Sequence, residues 1–330
     1  MHVTHMASVT ANRPQRDIFQ SDVTVGAIVG RWVNRLSDQN RAHDEALSAA
    51  VNEMEQIHAA GRDPLPTEFT AWAQGLLSMV QGAEDVIWAN STAEDPPGSG
   101  PSVFLEVVQA SPAGMGSVGF VAYSVRAAPD CIQVTSVRLP VSISGHAVAR
   151  AMRRSEYDLA SAVGVIAGSI PTLMAMSATG FMPRHIGVPA GRGMALGHSQ
   201  SPEEVSGWRQ LRVYQSSQEL ARNWEIGSGV FLGRDISPFV IKTYMDCSSL
   251  NKAPALMRAT IDRWLASYRA EITAAFHEYA FPAGDAAQKP FVDARITSTR
   301  RWMLSEAAAV MKTPSFVFHT RKFEQPSAHC

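Results

Sequence analysis

The sequence predicts an α+β fold, a mostly antiparallel sheet with an N-terminal helical portion and C-terminal helices. Three observations carry that prediction. Apolar residues recur at helical spacing up to about residue 90 and again over 253–280 and 295–312. Between 103 and 139 the pattern changes to runs rich in β-branched and aromatic residues, separated by turn residues. With 45% hydrophobic and 18% charged side chains over 330 residues, the chain has the composition of a folded protein rather than a disordered one.

The first twenty residues, MHVTHMASVTANRPQRDIFQ, lack the apolar core of a signal peptide and read as a frayed arm. Residues 23–90 then read as helical. Val25, Ile28, Val29, Trp32, Val33 and Leu36 share one face, as do Phe69, Trp72, Leu76 and Val80 after the cap candidate Thr67. Glu94-Asp-Pro-Pro-Gly-Ser-Gly100 stops any helix. Val103–Val108, Ser117–Val125 and Ile132–Leu139 follow as three antiparallel strands, with turns at 113–116 and 127–130. Ser144 is placed to cap a new helix.

The charge-free stretch from Leu159 to Met182 approaches the ~20 residues that span a bilayer. Pro171, three glycines and several hydroxyl residues dilute it, so it reads as two buried helical pieces meeting at Ser169–Pro171 rather than as a membrane segment. Short strands are expected around 194–199, 209–215, 230–233 and 239–245. Residues 1–95 form an acidic helical portion and 101–330 a sheet-centred α+β domain; whether they make one continuous domain or two is open at this level.

A near-repeat runs through the later strands. Gly191-Arg-Gly-Met-Ala-Leu-Gly-His198 is echoed by Gly227-Ser-Gly-Val-Phe-Leu-Gly-Arg234, and Leu211-Arg-Val-Tyr by Ile241-Lys-Thr-Tyr. The spacing suggests two consecutive hairpins of similar build. The glycines suit sheet construction better than a phosphate cradle, because G-x-G-x-x-x-G is not the dinucleotide fingerprint and lacks its strand and helix context.

A net charge of −1 removes the bulk signature of a protein that coats nucleic acid or an anionic membrane. That near-neutrality is a cancellation. The first hundred residues carry a net −7, whereas 138–222 carry a net +4 from nine arginines (138, 150, 153, 154, 184, 192, 209, 212 and 222) and hold His146, His185 and His198. Three dispersed cysteines without a C-x-x-C argue against a disulfide framework and point to a reducing cytoplasm.

The sharpest local pattern is Ser142-Ile-Ser-Gly-His-Ala-Val-Ala-Arg-Ala-Met-Arg-Arg154. A cap at Ser144 puts His146 in the first helical turn, where the positive helix end disfavours imidazolium, and sets Arg150 and Arg153 along the same face. A neutral base beside arginines suits an anionic substrate. The same residues also suit an ordinary amphipathic helix with a solvated basic face.

His146-Ala-Val-Ala-Arg150-Ala-Met-Arg153-Arg154, with the acidic helix that follows through Val163, resembles the H-A-x-x-R-x-x-x-R stretch of small bacterial toxins with a RelE-like or BrnT-like ribonuclease fold. The resemblance covers about residues 142–163. It implies metal-independent RNA cleavage, with His146 as acid or base and Arg150 as phosphate contact. In the scheme built on it, His146 takes the ribose 2′-hydroxyl proton, Arg150 and Arg212 stabilise charge on the phosphorus oxygens, and His198 protonates the leaving oxygen. Arg153, Arg154 and Arg209 are the further anion-binding candidates. The scheme needs no cofactor and no metal. A zinc site on His146, His185 and His198 is the metal alternative, while H-E-x-x-H, G-x-S-x-G and Walker motifs are absent from the sequence. The expected ligand is RNA or another phosphate-bearing molecule. The competing reading is a non-catalytic binding or assembly protein whose basic centre meets an anion or a protein partner.

Overall fold

The computed structural model describes residues 22–60, 65–81, 83–94, 102–113, 116–128, 131–181, 185–200, 207–215, 218–226, 230–232, 234–250, 252–281 and 297–312. The expected N-terminal arm, the breaker after Glu94 and the turn residues 114–115 and 129–130 lie outside them. The fold is α+β, as the sequence predicts.

Its centre is a long strand, β4 (Cys131–Ser144). On one edge β4 continues an antiparallel meander of β1 (Val86–Glu94), β2 (Ser102–Pro112) and β3 (Ser117–Ala128). Its other edge is divided between two partners. Cys131–Val137 pair with β7 (Gly207–Gln215), which carries β8 (Gln218–Ile226) as a hairpin. Val141–Ile143 pair in parallel with β11 (Phe239–Asp246), beyond which lie β6 (Gly193–Ser199) and β5 (His185–Ala190). The result is a nine-stranded sheet that forks along β4. Among the described strands the β4–β11 pairing is the parallel one, and the helices between β4 and β11 supply the long crossover that such a pairing needs. Two short strands, β9 (Val230–Phe231) and β10 (Arg234–Asp235), form a separate ribbon.

Helix α1 (Asp22–Ala59) crosses two cores. Val25, Val29, Trp32 and Leu36 pack with Val108, Ala110, Phe120 and the later helices; Val51 and Met54 pack with α2 (Pro66–Gln81), Leu105, Val107 and Val125. Each fully buried side chain of this size contributes about 1.5–3 kcal/mol of transfer free energy. Between the cores, buried polar groups fix how α1 sits on the sheet. Asn40 donates to Asp85 Oδ2 (2.9 Å) and to the Ala110 carbonyl (2.9 Å), and Gln109 donates to the same Asp85 oxygen (2.6 Å). His43 and Tyr123 share a hydrogen bond. Burial lowers the His43 pKa and raises that of Tyr123, which favours the neutral form of both partners.

After β4 come α3 (Gly145–Ser155), α4 (Leu159–Ala167) and α5 (Ile170–Ser177). Ser144 caps α3 by accepting from the Ala147 N–H (3.2 Å), and its hydroxyl donates to the Lys242 carbonyl (2.9 Å), which ties the helix start to β11. The apolar stretch is two helices broken at Gly168–Ser169, with Pro171 in the first turn of the second, where its missing N–H costs no hydrogen bond. Most of Leu159–Ser177 is buried within the protein, although its length and mean hydropathy of 1.7 also suit a membrane span. Helices α6 (Lys252–Ala280) and α7 (Ser298–Met311) close the described chain.

Three sequence expectations are corrected. Residues 86–90 belong to β1, not to a helix: Val86, Ile87 and Trp88 favour a pleated surface, and pairing with β2 decides the matter. Strands β5 and β8 were not expected. The near-repeat also does not build two like hairpins, because β6 pairs with β5 and β11, β7 pairs with β4 and β8, and β9 contributes only two residues to its ribbon.

The glycines of the first repeat unit have separate tasks. Gly191 turns with φ +51° between β5 and β6. A Cβ at Gly193 would lie 2.2 Å from the Met245 carbonyl oxygen, and one at Gly197 would lie 2.0 Å from that of Val240. The motif therefore lets β6 approach β11. We expect Gly197→Ala to lower unfolding free energy by more than about 2 kcal/mol in urea denaturation. Gly26→Ala, on an exposed helical face with open space around it, should instead raise stability by about 0.5–1 kcal/mol. Equal effects from both substitutions would contradict the close-approach role.

Candidate functional site

The fork in the sheet contains the candidate site. Arg138, Leu139 and Pro140 fall between the segments of β4 that pair with β7 and with β11. Pro140 has no N–H to leave unpaired there. On the opposite edge the register with β3 shifts at the same place, since Gly119 pairs with Ser142 but Val121 pairs with Arg138. A second irregularity falls on β11. Ile241 pairs with Gly197 and Thr243 with Leu196, which leaves Lys242 as the bulged residue. Bulges re-aim side chains, and these two bring Arg138 and Lys242 to one place.

Together they surround a cavity of about 240 Å³. Its described lining includes Arg138, Lys242, Ser117, Ser142, Gln200 and Phe239, with no carboxylate among the described lining residues. Arg138 is half-buried and Lys242 is exposed. The Gln200 backbone is anchored by donation to the Pro238 carbonyl (2.8 Å). Its side-chain oxygen Oε1 is buried and accepts no hydrogen bond. Such an acceptor carries a desolvation cost unless a donor reaches it.

The sequence-predicted residues divide between this fork and a second place. His146, Arg150, Arg153 and Arg154 are together on α3, with His146 exposed in the first turn. Partial burial lowers the His146 pKa first, and the charges of Arg150, Arg153 and Arg154 lower it further. Both effects favour the neutral imidazole in the first turn. His198 is on β6. It pairs with Val240, itself the partner of Ser142, so it flanks the cavity on the same sheet face as two lining residues. On its other side it pairs with His185, the rings lying 5.9 Å apart edge to face.

Only the backbone of Arg209 and Arg212 is described. Arg209 pairs with Val137, next to Arg138 and the fork. Arg212 pairs with Val134, roughly ten residues and about 33 Å of extended strand before Ser144. Arg212 is thus remote from the α3 site. The structure does not place His146, Arg150, His198 and Arg212 around one phosphate.

Sequence reasoning counted Arg138 among the basic residues of 138–222 and passed over Lys242 and Gln200. The available signals were Pro140 inside a strand pattern and the basic residue in Ile241-Lys-Thr-Tyr. Among the described residues, no group of three or more histidine, cysteine or carboxylate side chains is arranged to hold a metal.

Other charged groups hold elements together. Arg300, buried on α7, donates to Glu271 Oε1 (2.5 Å) and to both oxygens of Glu278 (2.8 and 2.7 Å) on α6. This bidentate arrangement holds the Glu278 carboxyl below its ordinary pKa. His277 on α6 reaches the buried Glu106 on β2, its Nε2 lying 2.5 Å from Oε1. Comparison with family models, with curated proteins and with solved structures finds no match in any of the three.

The His277 contact gives a pH prediction. Contact with Glu106 raises the His277 pKa above its ordinary value; burial opposes this and Glu278 reinforces it. A raised histidine pKa stabilises fully below the unfolded value of about 6.5, and that contribution disappears as pH rises through the folded value. The stability difference between wild type and His277→Gln should therefore shrink as pH is taken from about 5.5 to 8.5. Chemical denaturation at each pH measures it, and a difference that grows with pH contradicts the assignment.

Proposed function

We propose that this protein binds a small phosphate-bearing anion in the cavity at the sheet fork, acting as a binding protein rather than through covalent chemistry at that place. The observation that carries this reading is the convergence of Arg138 and Lys242 on one cavity without a described carboxylate beside them. Guanidinium and ammonium groups supply charge-assisted hydrogen bonds, and Ser117 and Ser142 supply hydroxyl donors. His198 and the backbone of Arg209 flank the same fork, so two of the sequence-predicted residues belong to its surroundings. The reading is compatible with a cytoplasmic protein whose acidic N-terminal portion offsets a basic centre.

The test is calorimetric titration of the full chain with inorganic phosphate at low salt. Charge-assisted hydrogen bonds contribute about 1.5–3 kcal/mol each. The double variant Arg138→Gln, Lys242→Gln should therefore weaken binding at least tenfold while thermal unfolding stays near that of wild type. Absent binding, or binding indifferent to both substitutions, removes the proposal.

A second reading, metal-independent RNA cleavage on α3, is favoured by His146. It is exposed, its pKa is lowered, and it lies beside Arg150, Arg153 and Arg154. As base it would take the 2′-hydroxyl proton while Arg150 stabilises the phosphorane oxygens. Arg212 is remote from it on β7, so a second stabilising charge would come from Arg153 or Arg154, with His198 as the candidate acid for the leaving oxygen. Incubation of labelled RNA in EDTA with wild type and His146→Ala decides the matter: cleavage lost in the variant supports the reading, and cleavage absent or unchanged removes it.

A further inference from the structure

We propose that His185 and His198 bind a divalent transition-metal ion, each imidazole supplying one nitrogen. The two residues are directly opposed on β5 and β6. They stand beside the fork cavity, one strand beyond Val240, and are not among its described lining residues.

Register gives the first argument. Directly opposed residues of an antiparallel pair share a sheet face, with Cβ atoms about 4.5–5.5 Å apart. Both imidazoles therefore extend from paired backbone positions on one side of the sheet. Gly187 shows which side. It lies two residues after His185 and faces the same way, and a Cβ there would meet Leu196 and Met194 of β6 and Met257 of α6. The half-buried histidines thus sit at the rim of an apolar layer that packs under α6. Gly197, beside His198, lets β6 lie close against β11, so the strand that carries His198 is held on both of its edges.

Ring geometry gives the second. A histidine nitrogen lies about 2.0–2.1 Å from a zinc ion, which puts the ion roughly 3.2 Å from the centre of the ring. Two rings on one ion then have centres about 5.2 Å apart at a tetrahedral angle, and about 6.4 Å apart at most. The centres of the His185 and His198 rings are 5.9 Å apart, inside that span. Side-chain rotation brings one nitrogen of each ring to a common ion while the strands stay in place.

The third argument is chemical. Two protonated imidazoles directly opposed across a ladder repel each other. Two neutral ones offer a pair of nitrogen ligands to one point, and a bound ion replaces repulsion with a shared bond. Imidazole nitrogen suits Zn²⁺, Cu²⁺ and Ni²⁺, whereas Mg²⁺ and Ca²⁺ take oxygen ligands. Among the described residues no third histidine, cysteine or carboxylate joins the pair. The two rings are accordingly the ligands that set the preference, and affinity should follow the general order for divalent ions, with Cu²⁺ above Zn²⁺.

Calorimetric titration of the full chain, free of any polyhistidine tag, tests this with Zn²⁺, Cu²⁺ and Mg²⁺. Zn²⁺ should bind, Cu²⁺ should bind more tightly, and Mg²⁺ should not compete. His185→Gln and His198→Gln should each weaken Zn²⁺ binding at least tenfold, the loss of a ligand costing no less than the loss of a group that orients one. His277→Gln, on α6, should leave it within about twofold. Thermal unfolding of the metal-free variants checks that they fold. Crystals of the wild type soaked in Zn²⁺ give a reading that needs no variant: an anomalous peak about 2.0–2.1 Å from one nitrogen of each ring. Zn²⁺ affinity indifferent to either substitution, Mg²⁺ binding as tight as that of Zn²⁺, or the absence of an anomalous peak shared by the two rings overturns the proposal. Where a variant fails to fold, the anomalous peak alone decides.

Discussion

The rest of the structure depends on how β4 satisfies its two hydrogen-bonding edges. A strand has one neighbour on each side at any point along its length, so three partners require one edge to be shared in sequence. β3 takes one edge, while β7 and β11 divide the other. The changeover leaves that second edge without a strand partner at residues 138–140, and Pro140 there has no N–H to leave unpaired. The cavity is the direct geometric consequence, since two strands that leave one neighbour at different levels open a gap between them.

Close approach on the β11 side keeps that gap defined. Gly193 and Gly197 let β6 lie against β11 where side chains would collide with carbonyl oxygens, and Ser144 ties the start of α3 to the Lys242 carbonyl 98 residues away in sequence. β11 is thus held from two directions, by a neighbouring strand and by the capped helix that packs on it. Lys242 bulges from the strand where these constraints meet. Its backbone is fixed although its side chain is exposed, which lets a flexible ammonium act from a defined origin.

What the sequence made legible was local. Ser144 as a cap, the break at Ser169–Pro171, strands β2 to β4 and helices α6 and α7 each rest on a few adjacent residues whose preferences agree. His146 and Arg150 were legible together for the same reason, one helical turn setting their separation. Strand β1 was hidden because Trp88 and Ala89 also fit a helical continuation until β2 pairs with them. The union of Arg138, Gln200 and Lys242 was not legible, because it depends on the order of strands in the sheet, which no local period encodes. The near-repeat misled for a related reason: similar strings were placed in unlike surroundings, one against β11 and the other in a two-residue ribbon.

The fork also explains how a nearly neutral chain presents a cationic site. Elsewhere charged groups meet partners of opposite character, Arg300 with Glu271 and Glu278, and His277 with Glu106. At the fork the backbone departs from regular pairing twice within a short distance, and each departure carries a basic side chain to the same cavity. A sheet built only for stability would continue its ladder and place apolar residues there. Irregular pairing, a proline inside a strand and a buried unpartnered amide oxygen each cost stability. Their coincidence at one cavity is the pattern expected where binding rather than folding sets the local sequence.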